Sequence, residues 1–304
     1  MKCAVVTGAT SFIGVHLIKK LLAQQYYVYA VVRPNSKNLF RLEHNQNLEI
    51  IFLDLSEIAK IASCIHVPVD VFFHLAWEGA RLPQRDDFYL QQTNYRYAMS
   101  TIKASTELNC KTFVGAGSQA EYGVVDGIIT EMREEHPTTM YGKAKLQTFR
   151  EGLCVAEKVG MRFLWPRIFS VYGPCDFAGT LIMSCIDRMQ KNRNMDLTAC
   201  SQLWDFIFVE DAVSALTTLG DTDGINGIYN IASGNAKPLK EFVLEIKSVL
   251  SSKSVLNFGA IEVSSEKVVG FTPSVDKLMT DTSWRPQVSF DEGIKKIIKV
   301  MVTA

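Results

Sequence analysis

The sequence predicts an α/β protein built on a doubly wound parallel sheet, with a smaller lobe towards the C-terminus. Short apolar, β-rich runs alternate with longer helical patterns through the first half of the chain, the rhythm of successive βαβ units. The runs are apolar throughout rather than every second residue, which suits strands buried on both faces. A glycine-bearing turn, TGATSFIG at residues 7–14, joins the first run to the first helical pattern. In such sheets that junction is where backbone N–H groups at a helix N-terminus meet phosphate.

Taken in order, candidate strands cover residues 3–6, 27–32, 49–53, 69–75, 112–116 and 161–165. Helical patterns fall between them at 12–23, 56–63, 88–108 and 139–158. After Gly173-Pro174 the rhythm loosens, and two strand-like pieces, 206–209 (FIFV) and 229–232 (YNIA), are expected to return to the main sheet. The tail reads as a helix at 239–251, an irregular or strand piece at 255–263, and a last helix at 291–301. No internal repeat, low-complexity tract or long linker interrupts it. The expected division is a Rossmann-type dinucleotide-binding domain of residues 1–169 plus 204–233, and a substrate lobe of 170–203 plus 234–304.

Composition narrows the function. The 304 residues carry 32 basic and 32 acidic side chains, so no basic field would steer the chain to nucleic acid or an anionic membrane. No apolar run is long enough to span a bilayer. The N-terminus enters a strand at once, leaving no room for a signal peptide. Seven cysteines stand singly, odd in number and without CxxC spacing, as expected of reduced thiols in a cytoplasmic protein rather than of disulfides or a zinc site. His16, His44, His66 and His136 have no metal-ligand spacing, and no metal is expected.

In the turn, Gly8 and Gly14 bracket Thr10 and Ser11. The middle position of such loops is usually glycine, so that the backbone can approach a pyrophosphate closely. Here it is Ser11, whose hydroxyl can donate to a phosphate oxygen, as can that of Thr10. The second strand then ends in VVRPNSKNLFR, with Arg33, Lys37 and Arg41 and no acid before Glu43. An acid there accepts from the ribose 2′-hydroxyl of NAD, whereas arginine accommodates the 2′-phosphate of NADP. NADP(H) is therefore expected, with NAD(H) possible; the alternative is a merely solvated basic loop. Asp54, closing the third strand, either accepts from the adenine amino group or caps the following helix.

Tyr141 and Lys145 stand four apart in PTTMYGKAK, on one face of a predicted helix. An ammonium beside a phenol favours phenolate, so the pair is expected to exchange protons with a carbonyl or alcohol at lowered pKa. Ser118, in VGAGSQAEYG after the fifth strand, can hydrogen-bond the same oxygen. Singly, each has an ordinary explanation: a solvated helix face, or a turn serine. Together they arrive in order at the carboxyl ends of successive strands, the edge where open α/β sheets place ligands.

With these motifs the chain resembles the extended short-chain dehydrogenase/reductase superfamily, in its sugar-nucleotide epimerase, dehydratase and reductase branch. FFHLAW, with His74, Leu75 and Ala76, looks like the fourth-strand signature; Asn94 in QQTNYR, WPRIFSVYGP and WDFIFVEDA look like further family segments. The resemblance implies a cofactor held by Gly8, Thr10, Ser11, Phe12, Ile13, Gly14, Arg33, Asp54, Leu55, Leu75, Ala76, Asn94 and Ile168, together with Tyr141 and Lys145. It implies hydride exchange with nicotinamide, Tyr141 as acid or base, Lys145 on the nicotinamide ribose, and Ser118 polarising the sugar oxygen. A nucleotide sugar would bind Ser118, Tyr141, Ser170 and Trp204 below the C-terminal lobe, and helices 88–108 and 139–158 would form a homodimer.

Four departures stand out. Ser11 replaces glycine, Ser170 a usual asparagine, and Trp204 a usual arginine, while FGAIEVSSEKV lacks an arginine often found there. Arg188, Lys191, Arg193 or Lys267 would then neutralise the diphosphate. Related dehydratases carry an Asp-Glu pair where this chain has Gln119 and Ala120, and Glu121 is expected on the opposite face of a strand. Trp77 and Glu78 could line the cleft. The resulting reading is an NADPH-dependent reductase of a nucleoside-diphosphate 4-keto-6-deoxy sugar, akin to the branch containing CDP-abequose synthase. The alternatives are an NAD-dependent sugar-nucleotide 4-epimerase and a non-catalytic NADP sensor.

Overall fold

The computed structural model describes residues 1–262 and 270–303. Strand β1 (Cys3–Thr7) leads through α1 (Phe12–Ala23) to β2 (Tyr27–Val32) and β3 (Leu48–Phe52). A 3₁₀ segment, Leu55–Ser63, takes the place of the α-helix expected there. Next come β4 (Val71–His74), α2 (Phe88–Glu107), β5 (Thr112–Gly115), β6 (Gly117–Ser118), β7 (Gly127–Ile129), α3 (Met140–Val159) and β8 (Arg162–Ile168). The second half supplies β9 (Ser170–Tyr172), α4 (Leu181–Gln190), β10 (Met195–Leu197), β11 (Leu203–Trp204), β12 (Phe206–Phe208), α5 (Val209–Asp221) and β13 (Gly227–Ile231). It ends with β14 (Lys237–Pro238), α6 (Leu239–Val249), β15 (Leu256–Phe258), β16 (Phe271–Pro273), α7 (Asp276–Asp281) and α8 (Phe290–Thr303).

The central sheet runs β3-β2-β1-β4-β5-β8-β13, with β6 pairing the C-terminal end of β8 beyond β5, and every pairing in it is parallel. Its inner strands are largely apolar because alternate residues enter different cores. Ala4 and Val6 of β1 face a core completed by α1 and α5; Cys3 and Val5 face one completed by α2 and α3. Full burial of such a valine contributes about 1.5–3 kcal/mol, so a register slip would cost both layers at once. The register also aligns Thr7 with His74 and His74 with Gly115, which brings the carboxyl ends of β1, β4 and β5 to one edge.

Two expectations need correction. Residues 206–209 do not rejoin the main sheet: β12 pairs with β9 as a separate parallel ribbon, where Phe206 and Phe208 pack on Tyr172. The lobe is also fastened to the first half, where β16 pairs with β7. Of the irregular or strand piece expected at 255–263, only β15 is a strand, and it pairs with β10; Val263 lies outside the described residues. Among the described residues no helix is long and apolar enough to cross a membrane.

Candidate active site

The Gly8 turn is built for close approach. Gly8 has a left-handed φ of +70°, and a Cβ there would lie 2.7 Å from the Ala76 nitrogen. A Cβ on Gly14 would lie 2.2 Å from the Gly8 carbonyl oxygen. Ser11 is the N-cap of α1: its Oγ accepts from the Gly14 N–H at 3.1 Å, leaving its own proton free to donate. The hydroxyl thus serves the helix without closing the turn. Thr10 Oγ1 lies 3.0 Å from Ser36 Oγ, tying the turn to the loop that carries the exposed Arg33.

Asp54 takes the capping role, accepting from Ser56 N at 2.9 Å and Ser56 Oγ at 2.7 Å. Those bonds, helped by the nearby Arg33 charge, hold its carboxyl below the ordinary value. Asn94 is buried and spends its amide on the loop after β4, accepting from Glu78 N at 3.1 Å and donating to Glu78 O at 2.8 Å. It fixes that loop and does not line the cleft; nor does Glu78, whose backbone it holds.

A cleft of about 670 Å³ opens at this sheet edge, and Phe12, Ile13, Leu75, Ile168, Ser118, Tyr141, Lys145, Ser170 and Trp204 all line it. Thr139 caps α3 by accepting from Gly142 N at 3.1 Å, which sets Tyr141 in the first turn and Lys145 one turn on, both facing inward. Burial raises the Tyr141 pKa, opposed by a hydrogen bond from Ser118 and by the charge of Arg85, and reinforced by Glu121. The expectation that Lys145 lowers it is therefore corrected. The Lys145 ammonium lies 5.8 Å from the Tyr141 ring centre and is committed elsewhere: it donates to Ala116 O at 2.7 Å and sits 3.7 Å from the Trp77 ring centre. Burial pulls its own pKa down.

Beneath Ser118 lies a buried ion pair. Residues 119–121 form a 3₁₀ turn rather than a strand, and the Glu121 carboxylate turns back from the cleft through it. It accepts from Ser118 N at 2.7 Å, Trp165 Nε1 at 3.0 Å and Arg167 Nε at 2.9 Å. Arg167 also donates to Glu135 at 2.7 Å. Glu121 thus faces away as expected, but as half of a capping box that fixes Ser118.

Two of the departures explain each other: the Trp204 indole N–H donates to Ser170 Oγ at 2.9 Å. None of Arg188, Lys191 and Arg193 lines the cleft; Arg188 donates to Asn194 O at 2.7 Å and Lys191 pairs with Asp187. Lys267 lies outside the described residues. Among the described residues, the cations that line the cleft are instead Arg81, Arg85 and Lys145. Arg81 stands 3.6 Å from the buried Asp176 carboxylate and 4.6 Å over the Phe177 ring. Sequence reasoning missed Arg81, Arg85 and Asp176; the signal was two arginines shortly after FFHLAW, on a loop with no periodicity to direct them. His16 bonds the Pro174 carbonyl at 2.9 Å and links α1 to the lobe.

Comparison with known proteins agrees with this geometry. CDP-abequose synthase of Salmonella muenchen is 26% identical over 98% of both chains. ADP-L-glycero-D-manno-heptose-6-epimerase of Brachyspira hyodysenteriae is 22% identical over 98% of this chain and 97% of its own. Among solved structures, the UDP-N-acetylglucosamine 4-epimerase of Methanobrevibacter ruminantium M1, in complex with UDP-N-acetylmuramic acid, superposes with a TM-score of 0.88 at 23% identity, covering 99% of this chain and 98% of that one. The UDP-glucuronic acid 4-epimerase of Bacillus cereus, in complex with UDP-glucuronic acid and NAD, does so at 0.84 and 22%, covering 99% of each. Residues 4–232 match the sequence model of the NAD dependent epimerase/dehydratase family, and with the glycine turn and the Ser118, Tyr141 and Lys145 cleft in place, the chain belongs to that family.

Proposed function

We propose that the chain is an NADPH-dependent reductase that delivers hydride to carbon 4 of a nucleoside-diphosphate 4-keto-6-deoxy sugar. The observation that carries this reading is Arg33, exposed at the end of β2 in a loop without an acid before Glu43, the position from which such folds distinguish a 2′-phosphate from a 2′-hydroxyl. The residues fit a dinucleotide: no Cβ is tolerated at Gly8 or Gly14, and Ser11 and the N-terminus of α1 present donors to phosphate. When bound, the nicotinamide supplies the hydride.

The chain's own groups do the rest. Tyr141, held protonated by burial, donates its proton to the sugar oxygen as negative charge develops there. Ser118 donates a hydrogen bond to the same oxygen and is held for it by Glu121. Lys145 binds the nicotinamide ribose. The full-length similarity to CDP-abequose synthase supports the reductase. The similarity to 4-epimerases favours a second reading, in which the same three residues oxidise and re-reduce one carbon on a retained cofactor. A non-catalytic sensor accounts less well for the intact set. The test is NADPH absorbance with a panel of CDP-, UDP- and dTDP-linked 4-keto-6-deoxy sugars: stoichiometric consumption supports the reductase. Incubation with the matching 4-hydroxy sugar nucleotides is the counter-test: their interconversion between 4-epimers without net cofactor consumption would replace the reductase with the epimerase.

A further inference from the structure

Two polar atoms in the cleft are buried and have no hydrogen-bond partner among the described residues: Nε of Arg85 and Oε1 of Gln119. Both residues line the cavity that holds Ser118 and Tyr141. They come from different loops, one after β4 and one directly after β6. The Arg85 guanidinium lies 5.3 Å from the Tyr141 ring centre, and Gln119 follows Ser118 in sequence. Arg81, by contrast, is already paired with Asp176. A buried donor and a buried acceptor left open beside Ser118 and Tyr141 are places where a bound ligand can supply the missing partners.

A hydroxyl group is the partner that suits both, because it accepts from an N–H and donates to a carbonyl. In a 4-keto-6-deoxy sugar the ring carbons beside carbon 4 are carbons 3 and 5. Carbon 5 carries the methyl group, so the hydroxyl beside the ketone belongs to carbon 3. We propose that Arg85 and Gln119 form a subsite for that hydroxyl, and that the substrates are 4-keto sugar nucleotides that retain it rather than 3-deoxy ones. The inference rests on the reductase reading of this cleft. A site built to hydrogen-bond a substrate hydroxyl rejects the analogue that lacks it far more strongly than an apolar pocket rejects a missing methylene.

The test is calorimetric binding to the NADP⁺-loaded protein of paired nucleoside-diphosphate 6-deoxyhexoses, with and without the 3-hydroxyl, in CDP, UDP and dTDP series. The expected result is that the 3-deoxy partner binds about a hundredfold more weakly in the preferred series. Gln119→Leu and Arg85→Leu should each shrink that ratio, while NADP⁺ binding and the denaturant unfolding midpoint stay unchanged and report an intact fold. Equal affinity within the wild-type pair, a ratio that survives in both variants, or preference for a sugar carrying a carboxylate would each overturn the subsite. Because the ratio is read from binding, NADPH turnover with the same keto sugars judges the reductase separately: no turnover with the ratio intact removes the reductase and leaves the subsite standing.

Discussion

Tyr141 concentrates the chemistry at the scale of single residues. Its pKa is raised by burial, so the phenol is the acid form across the neutral range. Reduction needs that form and should be flat with pH until it falls as pH rises through the raised pKa; oxidation of the alcohol needs phenolate and should climb over the same window. Steady-state rates in both directions against pH check the sign. Tyr141→Phe should lower turnover by roughly 10²–10⁴-fold while calorimetry still finds the cofactor bound. Ser11 makes a different claim, because its hydroxyl caps α1. Ser11→Gly should cost only a few tenths of a kcal/mol and Ser11→Ala about 1 kcal/mol, read by denaturant unfolding. Equal losses would mean that the cap is not what Ser11 contributes.

The elements show how far the sequence could be read. Strands β1, β2, β4 and β5 were legible as short apolar runs because they are buried on both faces, and helices α1, α2 and α3 because each buries one face and so carries a periodic pattern. The Ser118, Tyr141 and Lys145 set was legible because ordered elements place it. The 3₁₀ turn at 119–121 was missed although the Ser118-x-x-Glu121 spacing is a local capping-box signal; the bonds of Glu121 to Trp165 and Arg167 are long-range contacts that no local pattern encodes. The ribbon of β9 and β12 was missed for the same reason, and Arg85 because its loop has no period at all. The buried pair also makes a prediction. Arg167→Met leaves the Glu121 carboxylate uncompensated with no exposure to water, and should destabilise the fold by about 3–5 kcal/mol in denaturant unfolding. Replacing both partners with apolar residues should recover much of that loss, yet leave Ser118 less well held and turnover reduced.

For the whole molecule, the sheet and the lobe meet over one cleft, and its halves ask different questions of a ligand. On the proposed reading, the glycine turn and the Arg33 loop hold the cofactor, and the Arg85, Gln119, Ser170 and Trp204 side takes the sugar nucleotide. The lobe is joined to the sheet domain by His16 to Pro174 and by β16 to β7, so both halves are presented by one continuous body. The central claim, a reductase drawing on NADPH, depends on the cofactor half. The measurement that tests it most directly is calorimetric binding of NADPH and NADH to the wild-type chain and to Arg33→Asp. The account predicts tighter, exchangeable binding of NADPH, with the preference lost or reversed in Arg33→Asp. Tighter binding of NADH by the wild type, or NAD carried through purification, would contradict it and make the epimerase the better reading.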